Sequence, residues 1–304
     1  MASVDAQHVA LPLPLPPLLR RVPSLSTLSV RAVGPEEKRL VTSMLSTSRW
    51  RHSHLDWQDP VDLLGQQPYL VAERDATYVG LMACPEGPEG VAWVRVLGLA
   101  LGVDPDEVWQ DLWEEAARRL LDSGIRHAAC LLSGPWQRPL LSGSGFHETN
   151  AVVFFERSTR RIPPPGRSPV SFRRFEPSDL ASVGAVDHAA FRPLWRVSPG
   201  TLEIAYRTAA DAGVAAVDGR VVGYQLTTIS PLGAHLARLA VDPAWQNRGI
   251  GSALVVRLLQ RLVEQGVTRV TLNTQADNGK SQELYRRLGF RETGERLPVF
   301  EVQW

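Results

Sequence analysis

The loop before one helix of the C-terminal half combines glycine, amide and cationic residues in a pattern that suits an anion. It contains Gln246-Asn247-Arg248-Gly249-Ile250-Gly251, between an apolar strand-like run and a leucine- and valine-rich helix. The two glycines leave the backbone bare where it turns, so successive N–H groups can point at one anion. The positive end of the helix and Arg248 add charge, and together these properties favour a pyrophosphate.

A second segment carries a candidate proton donor. It reads Asn278-Gly-Lys-Ser-Gln-Glu-Leu-Tyr285 and is followed by Gly289-Phe290. A phenol can donate a proton to an anion whose pKa lies below its own, so Tyr285 could protonate a departing thiolate. The alternative for Tyr285 is an amphipathic-helix tyrosine that packs its ring in the core.

The two segments resemble motif A and the next motif of the GNAT superfamily of N-acetyltransferases. The pyrophosphate loop of that superfamily reads Gln or Arg, two residues, Gly, one residue, and Gly or Ala. The next motif is an asparagine followed at seven residues by a tyrosine and then Gly-Phe. The resemblance covers about the last 135 residues. It implies an acyltransferase that uses acetyl-CoA, without a metal, to acetylate an amine.

The resemblance also implies individual roles. The backbone of the strand end, Leu239, Ala240 and Val241, would hydrogen-bond the pantetheine arm and the thioester carbonyl. Asn278 would bind the pantetheine amides, and Tyr285 would protonate the thiolate. The pyrophosphate would be held by Gln246, Asn247, Arg248, Gly249, Ile250, Gly251 and Ser252.

The general base is missing from this pattern. The C-terminal half most resembles ribosomal-protein alanine acetyltransferases, in which the base is a glutamate five residues before the asparagine. Asn273 stands at that position, and an amide cannot take a proton at neutral pH. Attack by an already neutral amine, or deprotonation through water, stays open. The weaker base candidates are His235, Glu203, His188 and Glu301.

Acceptor selection in this superfamily lies in the connection between the first two helices, here Phe191 to Gly200. Two aromatic residues and two arginines in this connection could hold an acceptor with a carboxylate or an apolar side chain, such as an amino acid or a peptide end. They could equally pack in a domain interface.

Hydrophobic periodicity predicts the elements that position these residues. Asp218-Gly219 supplies the positive φ angles of a type I′ hairpin turn. The series predicts an α+β fold with a mixed, mostly antiparallel sheet flanked by helices. In the C-terminal half we predict strands at 170–175, 214–217, 221–229, 235–241, 267–274 and 299–304, and helices at 177–190, 201–212, 252–265 and 279–288.

The N-terminal half repeats the series. Val79-Gly80, Gly124 and Gly145-Phe146 recur at offsets of 143, 142 and 144 residues. Such equal offsets indicate an internal duplication, although two unrelated domains that share helix-end glycines would also fit. We predict a proline-rich tail at 1–24, a degenerate GNAT-like domain at 25–157, a linker at 158–169 and an acetyl-CoA-binding GNAT domain at 170–304.

The first repeat is a degenerate copy of the second. It lacks four residues where the pyrophosphate loop belongs, counted from Val-Asp-Pro to the next helix-ending glycine. Asp104, Asp106 and Glu107 would repel a pyrophosphate, and Leu141 stands where Tyr285 would map. This half is therefore expected to bind no acetyl-CoA and to serve as a scaffold or shape the acceptor cleft.

Composition excludes several function classes. The formal net charge is +1, from 33 Lys plus Arg against 32 Asp plus Glu, and no basic block suits a nucleic-acid partner. The lack of an uninterrupted apolar run of about 18 residues predicts no membrane span. Cys84 and Cys130 have neither metal-ligand nor disulfide-framework spacing, which favours the cytoplasm and burial as apolar side chains. The oligomeric state stays open.

Two functions of different classes fit these observations. The first is an active tandem-domain N-acetyltransferase that acetylates a primary amine, such as a peptide N-terminus, an amino acid or another small amine. The second is a CoA-binding regulatory or interaction protein without turnover, which Asn273 favours and Tyr285 opposes. As a minor alternative, the tandem architecture resembles mycothiol synthase, which acetylates a small thiol-sugar amine, but architecture says less about an acceptor than cleft residues do.

Overall fold

The computed structural model describes residues 28–55, 57–164 and 170–304, so the predicted tail and residues 165–169 of the predicted linker lie outside it. The α-helices of the described residues are α1 Lys38–Thr47, α2 Pro105–Asp122, α3 Gln137–Gly143, α4 Leu180–Ala190, α5 Pro199–Thr208, α6 Ile250–Glu264 and α7 Gly279–Arg287. None of them is long and apolar enough to cross a membrane.

The described strands number eight in the N-terminal half and six in the C-terminal half. In the N-terminal half they are β1 Ser29–Ala32, β2 Trp50–Ser53, β3 Tyr69–Arg74, β4 Thr77–Ala83, β5 Val91–Trp93, β6 Val96–Leu99, β7 His127–Leu131 and β8 His147–Ser158. In the C-terminal half they are β9 Ser171–Arg174, β10 Asp211–Val217, β11 Arg220–Ser230, β12 Gly233–Val241, β13 Arg269–Gln275 and β14 Arg291–Gln303.

These strands form two sheets. The N-terminal half alone builds a five-stranded sheet of order β1-β3-β4-β6-β2, and both halves build a nine-stranded sheet of order β5-β7-β14-β8-β13-β12-β11-β10-β9. Most pairs are antiparallel, while β5 with β7 and β12 with β13 are parallel. The predicted α+β class is confirmed.

The two halves exchange their last strands. β8 lies between β13 and β14, antiparallel to both, and β14 lies between β8 and β7. The exchange continues into the cores, because Phe155 of β8 is fully buried among C-terminal residues and Phe300 of β14 among N-terminal ones. Each half therefore depends on the other for a strand of the nine-stranded sheet and for part of a core.

Several predicted elements need correction at their ends. The helix predicted at 201–212 ends at Thr208, and Asp211 already belongs to β10. The physical reason is that the Asp211 carboxylate is buried and accepts hydrogen bonds from Arg261 at 2.6 and 2.7 Å. The last strand begins at Arg291, eight residues earlier than predicted, because it pairs along much of β8.

Local turn chemistry is as predicted. Asp218 and Gly219 have φ angles of 47° and 82°, as a type I′ turn requires. The helix-ending glycines Gly124 and Gly266 also match, with φ angles of 84° and 75°. Both cysteines are buried, as predicted.

Candidate active site

The site begins where β12 and β13 diverge. These parallel neighbours pair only from Ala234 to Leu236 on β12, although β12 continues to Val241. The register with β11 shifts between Leu226 and Thr227, which leaves Ala237 as a bulge. Beyond Leu236, the β13-facing edge of β12 therefore has no strand partner among the described residues, and its backbone groups lie beside a cavity.

The loop before α6 lies next to this open edge. Asn247 and Gly249 take φ angles of 62° and 76°, the left-handed region in which glycine is least strained. The N-terminus of α6 has no side-chain cap and no acidic residue in its first turn. Its first N–H groups are consequently left for a ligand, with the positive end of the helix dipole behind them.

One cavity of about 660 Å³, which we name the loop cavity, collects most of the predicted cofactor residues. It is lined by Leu239, Ala240, Val241, Gln246, Asn247, Gly249, Ile250, Gly251, Ser252 and Asn278. Arg248 does not line it; its guanidinium lies 4.5 Å from the ring centre of Trp245. The cations of the lining are instead Lys280 and Arg287, which sequence reasoning missed although their spacing places both on one face of α7.

Asn278 begins α7 and joins two cavities. Its side-chain oxygen accepts a hydrogen bond from the backbone N–H of Ser281 at 3.1 Å, which caps the helix. Its amide nitrogen donates to Gln275 at 3.3 Å. Asn278 also lines a second cavity of about 510 Å³ between the two halves, which we name the interdomain cavity.

Tyr285 lines the interdomain cavity but not the loop cavity. Its side chain packs in the C-terminal core, with ring centres 6.2 Å from Phe155 and 5.8 Å from Phe290. Burial raises the pKa of Tyr285, so the phenol stays protonated at neutral pH. None of the described residues hydrogen-bonds its hydroxyl, and the side chain therefore combines a structural ring with an uncommitted proton donor.

Three of the four weak base candidates lie away from both cavities. Glu203 pairs with Arg207 on the surface of α5, and His188 lies 3.5 Å from Glu89. Oε2 of Glu301 lies 2.7 Å from Nε2 of His127. These three side chains are therefore engaged elsewhere.

His235 is the candidate that lines the interdomain cavity, where Asn273 also lies. Its Nδ1 is 2.9 Å from the hydroxyl of Thr271, which itself donates to the carbonyl of Ala234 at 3.3 Å. When the Thr271 hydroxyl donates to Ala234, Nδ1 of His235 carries the ring proton and Nε2 is an acceptor. Burial lowers the pKa of His235, so the imidazole is neutral at pH 7 and able to take a proton.

The connection after α4 forms one wall of the interdomain cavity. A buried ion pair between Arg238 and Asp187, at 2.7 and 3.0 Å, anchors it from β12. Arg238 also donates to the carbonyl of Trp195 at 2.7 Å, and its guanidinium lies 3.8 Å from the ring centre of Phe191.

This connection also reaches the N-terminal half, where Trp93 donates to the carbonyl of Leu194 at 3.0 Å. From the sequence, the connection from Phe191 to Gly200 could either line a cleft or pack in a domain interface. In the structure it does both.

Comparison with known proteins finds a family match within the C-terminal half. Residues 181–290 match the model of the acetyltransferase (GNAT) family. This domain belongs to the GNAT family, and the protein is an acyltransferase.

Two curated relatives match this protein over different lengths. A mycothiol acetyltransferase of Tsukamurella paurometabola is 26% identical over 263 residues, 78% of this chain and 86% of the relative. The ribosomal protein bS18 alanine N-acetyltransferase of Escherichia coli K12 is 35% identical over 75 residues, 25% of this chain and 51% of the relative. The aligned region thus spans about half of that enzyme.

Solved structures share the tandem fold. A tandem GNAT protein from the clavulanic acid biosynthesis pathway superimposes with a TM-score of 0.64 at 16% identity, over 91% of this chain and 98% of that one. A GCN5-related N-acetyltransferase from Sphaerobacter thermophilus gives 0.61 at 16% identity, over 91% and 95%.

Among the described residues, the N-terminal half lacks the open strand edge and the uncapped helix N-terminus of the C-terminal half. β2 pairs antiparallel with β6 along Trp50–Ser53, and Asp104 caps α2 through the N–H of Asp106 at 3.0 Å. Leu141, the counterpart of Tyr285, is buried in the N-terminal core.

Proposed function

We propose that this protein is a cytoplasmic N-acetyltransferase that transfers the acetyl group of acetyl-CoA to a primary amine. One observation carries the proposal: an open strand edge and an uncapped helix N-terminus line one cavity, a protonated phenol lines the other, and the two cavities adjoin. The cavities share Phe191, Leu239, Asn278 and Ser281. A nucleotide tail in one cavity and an acceptor in the other would therefore meet along β12.

The residues divide the binding of acetyl-CoA between them. The N–H groups at the start of α6, with Lys280 and Arg287, suit the pyrophosphate, while Arg248 would act only from outside the cavity. The free edge of β12 at Leu239 and Val241 suits the amide-rich pantetheine arm, which would take the place of a neighbouring strand.

The reaction then needs two proton transfers. The amine nitrogen attacks the thioester carbonyl, so that a C–N bond forms and the C–S bond breaks. We assign removal of the amine proton to Nε2 of His235 and protonation of the thiolate to the hydroxyl of Tyr285. His235 would thus supply the function that Asn273 lacks, which argues against a CoA-binding protein without turnover.

The names of the relatives suggest two kinds of acceptor. Similarity to the bS18 alanine acetyltransferase favours a peptide N-terminus or an amino acid, and is confined to 75 residues. Similarity to a mycothiol acetyltransferase extends over 78% of this chain, which makes a small thiol-sugar amine the second candidate. Neither relative's substrate follows from the fold alone.

A pair of variants tests the cofactor site by isothermal titration calorimetry with acetyl-CoA. Ser252→Glu places a carboxylate in the first turn of α6. There the carboxylate interacts favourably with the helix dipole but repels a pyrophosphate. Gln260→Glu adds the same charge to an exposed position of the same helix. We expect one site per chain, a dissociation constant about 100-fold weaker in Ser252→Glu, and wild-type affinity in Gln260→Glu.

The opposite results would remove the proposal. Wild-type protein that does not bind acetyl-CoA has no transferase site of this kind. Equal affinity of wild type and Ser252→Glu would place the phosphate groups somewhere other than the loop cavity.

A further inference from the structure

We infer that the acceptor is a primary amine with a large apolar, ring-bearing body rather than a polyhydroxylated one. This inference rests on the proposed function and names the substrate class of the same site. It comes from the distribution of polar and apolar side chains along the interdomain cavity.

The floor of the cavity is one face of the nine-stranded sheet. On β12 and β13 the floor is polar, with His235, Asn273 and Gln275. On the strands of the N-terminal half it becomes apolar, because Phe154 lies directly opposite Asn273 across the β8–β13 pair. The apolar floor continues through Val152, Leu131, Val91 and Trp93.

The length of this apolar floor exceeds what an acetyl group or a small amine needs. Between β13 and β5 the sheet order places β8, β14 and β7, and neighbouring strands lie about 4.8 Å apart. The apolar floor runs from β8 to β5, which are three strand spacings apart, and therefore extends over roughly 15 Å, enough for a ring system or a hydrocarbon chain.

The walls at the apolar end are aromatic and aliphatic. Trp195 stands over the floor with its ring centre 5.4 Å from that of Trp93. Phe191, Leu194 and Val197 complete the C-terminal wall, and Leu55 and Trp57 contribute from the N-terminal half. Rings that bury a flat apolar body gain free energy in proportion to the area removed from water.

Most polar groups of this end are already engaged, whereas Nδ1 of His54 and the indole N–H of Trp195 are buried without a partner among the described residues. The indole N–H of Trp93 donates to Leu194, and Arg95 donates to Gln58 at 2.9 Å. Arg196 pairs with Glu89 at 3.2 Å, and Arg238 pairs with Asp187. A polyhydroxylated acceptor carries more hydroxyl groups than these two atoms could serve. It would lose the remaining hydrogen bonds to water without replacing them, and such a loss costs about 1 to 3 kcal/mol for each buried group.

The first test compares two commercially available amines after acetyl-CoA binding has been established by calorimetry. We expect kcat/KM for tryptamine to exceed that for D-glucosamine at least tenfold in a thiol-release assay. D-glucosamine has the less basic amine and is more neutral at a given pH, so protonation cannot produce this preference.

Each outcome separates the inference from the proposed function. If D-glucosamine is the better acceptor, or if neither amine is acetylated while acetyl-CoA binds, the inference is wrong and the cofactor site stands. If acetyl-CoA does not bind, the proposed function has failed on its own measurement.

A pair of exposed leucines provides the matched variants. Leu55 is 45% exposed and lines the apolar end, whereas Leu101 is 76% exposed and lines neither cavity. We expect Leu55→Ser to raise the KM for tryptamine about three- to tenfold while the KM for acetyl-CoA is unchanged. Leu101→Ser should behave as wild type, and an equal response of the two variants would overturn the placement of the apolar body.

Discussion

The two halves of this protein differ at one strand edge and at the N-terminus of the helix that follows it. Both are open in the C-terminal half and covered in the N-terminal half. In the C-terminal half, β12 leaves β13 after Leu236 and exposes one edge. In the N-terminal half, β5 pairs with β7 as β12 pairs with β13, but the chain continues into β6, whose edge is covered by β2. Trp50 to Ser53 thus fill the position that a cofactor would take in the other half.

The helix that follows shows the same difference. The first turn of α6 lacks both a side-chain cap and an acidic residue. The first turn of α2 carries Asp106 and Glu107, and the Asp104 side chain accepts one of its N–H groups. Backbone groups at strand edges and helix ends need partners, so a duplicated element becomes a ligand site only where the protein does not supply those partners itself.

Separating the halves would break this comparison most severely. We expect residues 170–304 expressed alone to be unfolded or aggregated, because β13 and β14 lose β8 from between them. Circular dichroism and size-exclusion chromatography would report this. The control is co-expression of 170–304 with residues 1–169, which should restore a one-to-one complex. A cooperatively folded isolated C-terminal half would contradict the strand exchange.

The buried ion pair beside the open edge carries the next largest expected effect. Asp187 and Arg238 have 2% and 12% exposed side chains, so Asp187→Ala leaves a buried charge without its partner. We expect a loss of about 3 to 5 kcal/mol in the free energy of unfolding, measured by urea denaturation. Glu203→Ala removes an exposed pair and should cost less than about 1 kcal/mol. Similar losses in both variants would show that the pair does not organise this wall.

Replacement of His235 tests whether the C-terminal half supplies the base that removes the amine proton. We expect His235→Ala to lower kcat/KM by about 100-fold at pH 7, with acetyl-CoA affinity retained. Burial lowers the pKa of His235, so the wild-type base is neutral at pH 7 and is lost as the pH falls through that lowered pKa. The deficit of the variant should shrink as pH rises, because the amine then loses its proton without a base.

The matched control is His188→Ala, which removes an exposed histidine that lines neither cavity and should leave kcat/KM unchanged. A constant deficit of His235→Ala at every pH would argue for a packing role of the imidazole.

Sequence patterns predicted the local parts of this arrangement. The hairpin turn at Asp218 depends on neighbouring residues and appears where expected. The loop from Gln246 to Ser252, apart from Arg248, lines the loop cavity together with Asn278, and Tyr285 lines the interdomain cavity, while their roles remain predictions. The strand exchange did not follow from sequence, because β8 and β14 carry the same alternation whichever sheet they join. The N-terminal residues of the interdomain cavity, including Trp93 and Phe154, are brought there by that exchange.

The smallest expected effect concerns Asp104, which caps α2 in the N-terminal half. Asp104→Ala removes the acceptor for the N–H of Asp106 and should cost about 1 kcal/mol of unfolding free energy, whereas Asp104→Asn retains a capping oxygen and should cost little. Neither change should create a second acetyl-CoA site, since β2 still covers β6 and the acidic first turn remains. A calorimetric stoichiometry that rises from one to two in Asp104→Ala would mean that the cap alone keeps the cofactor out.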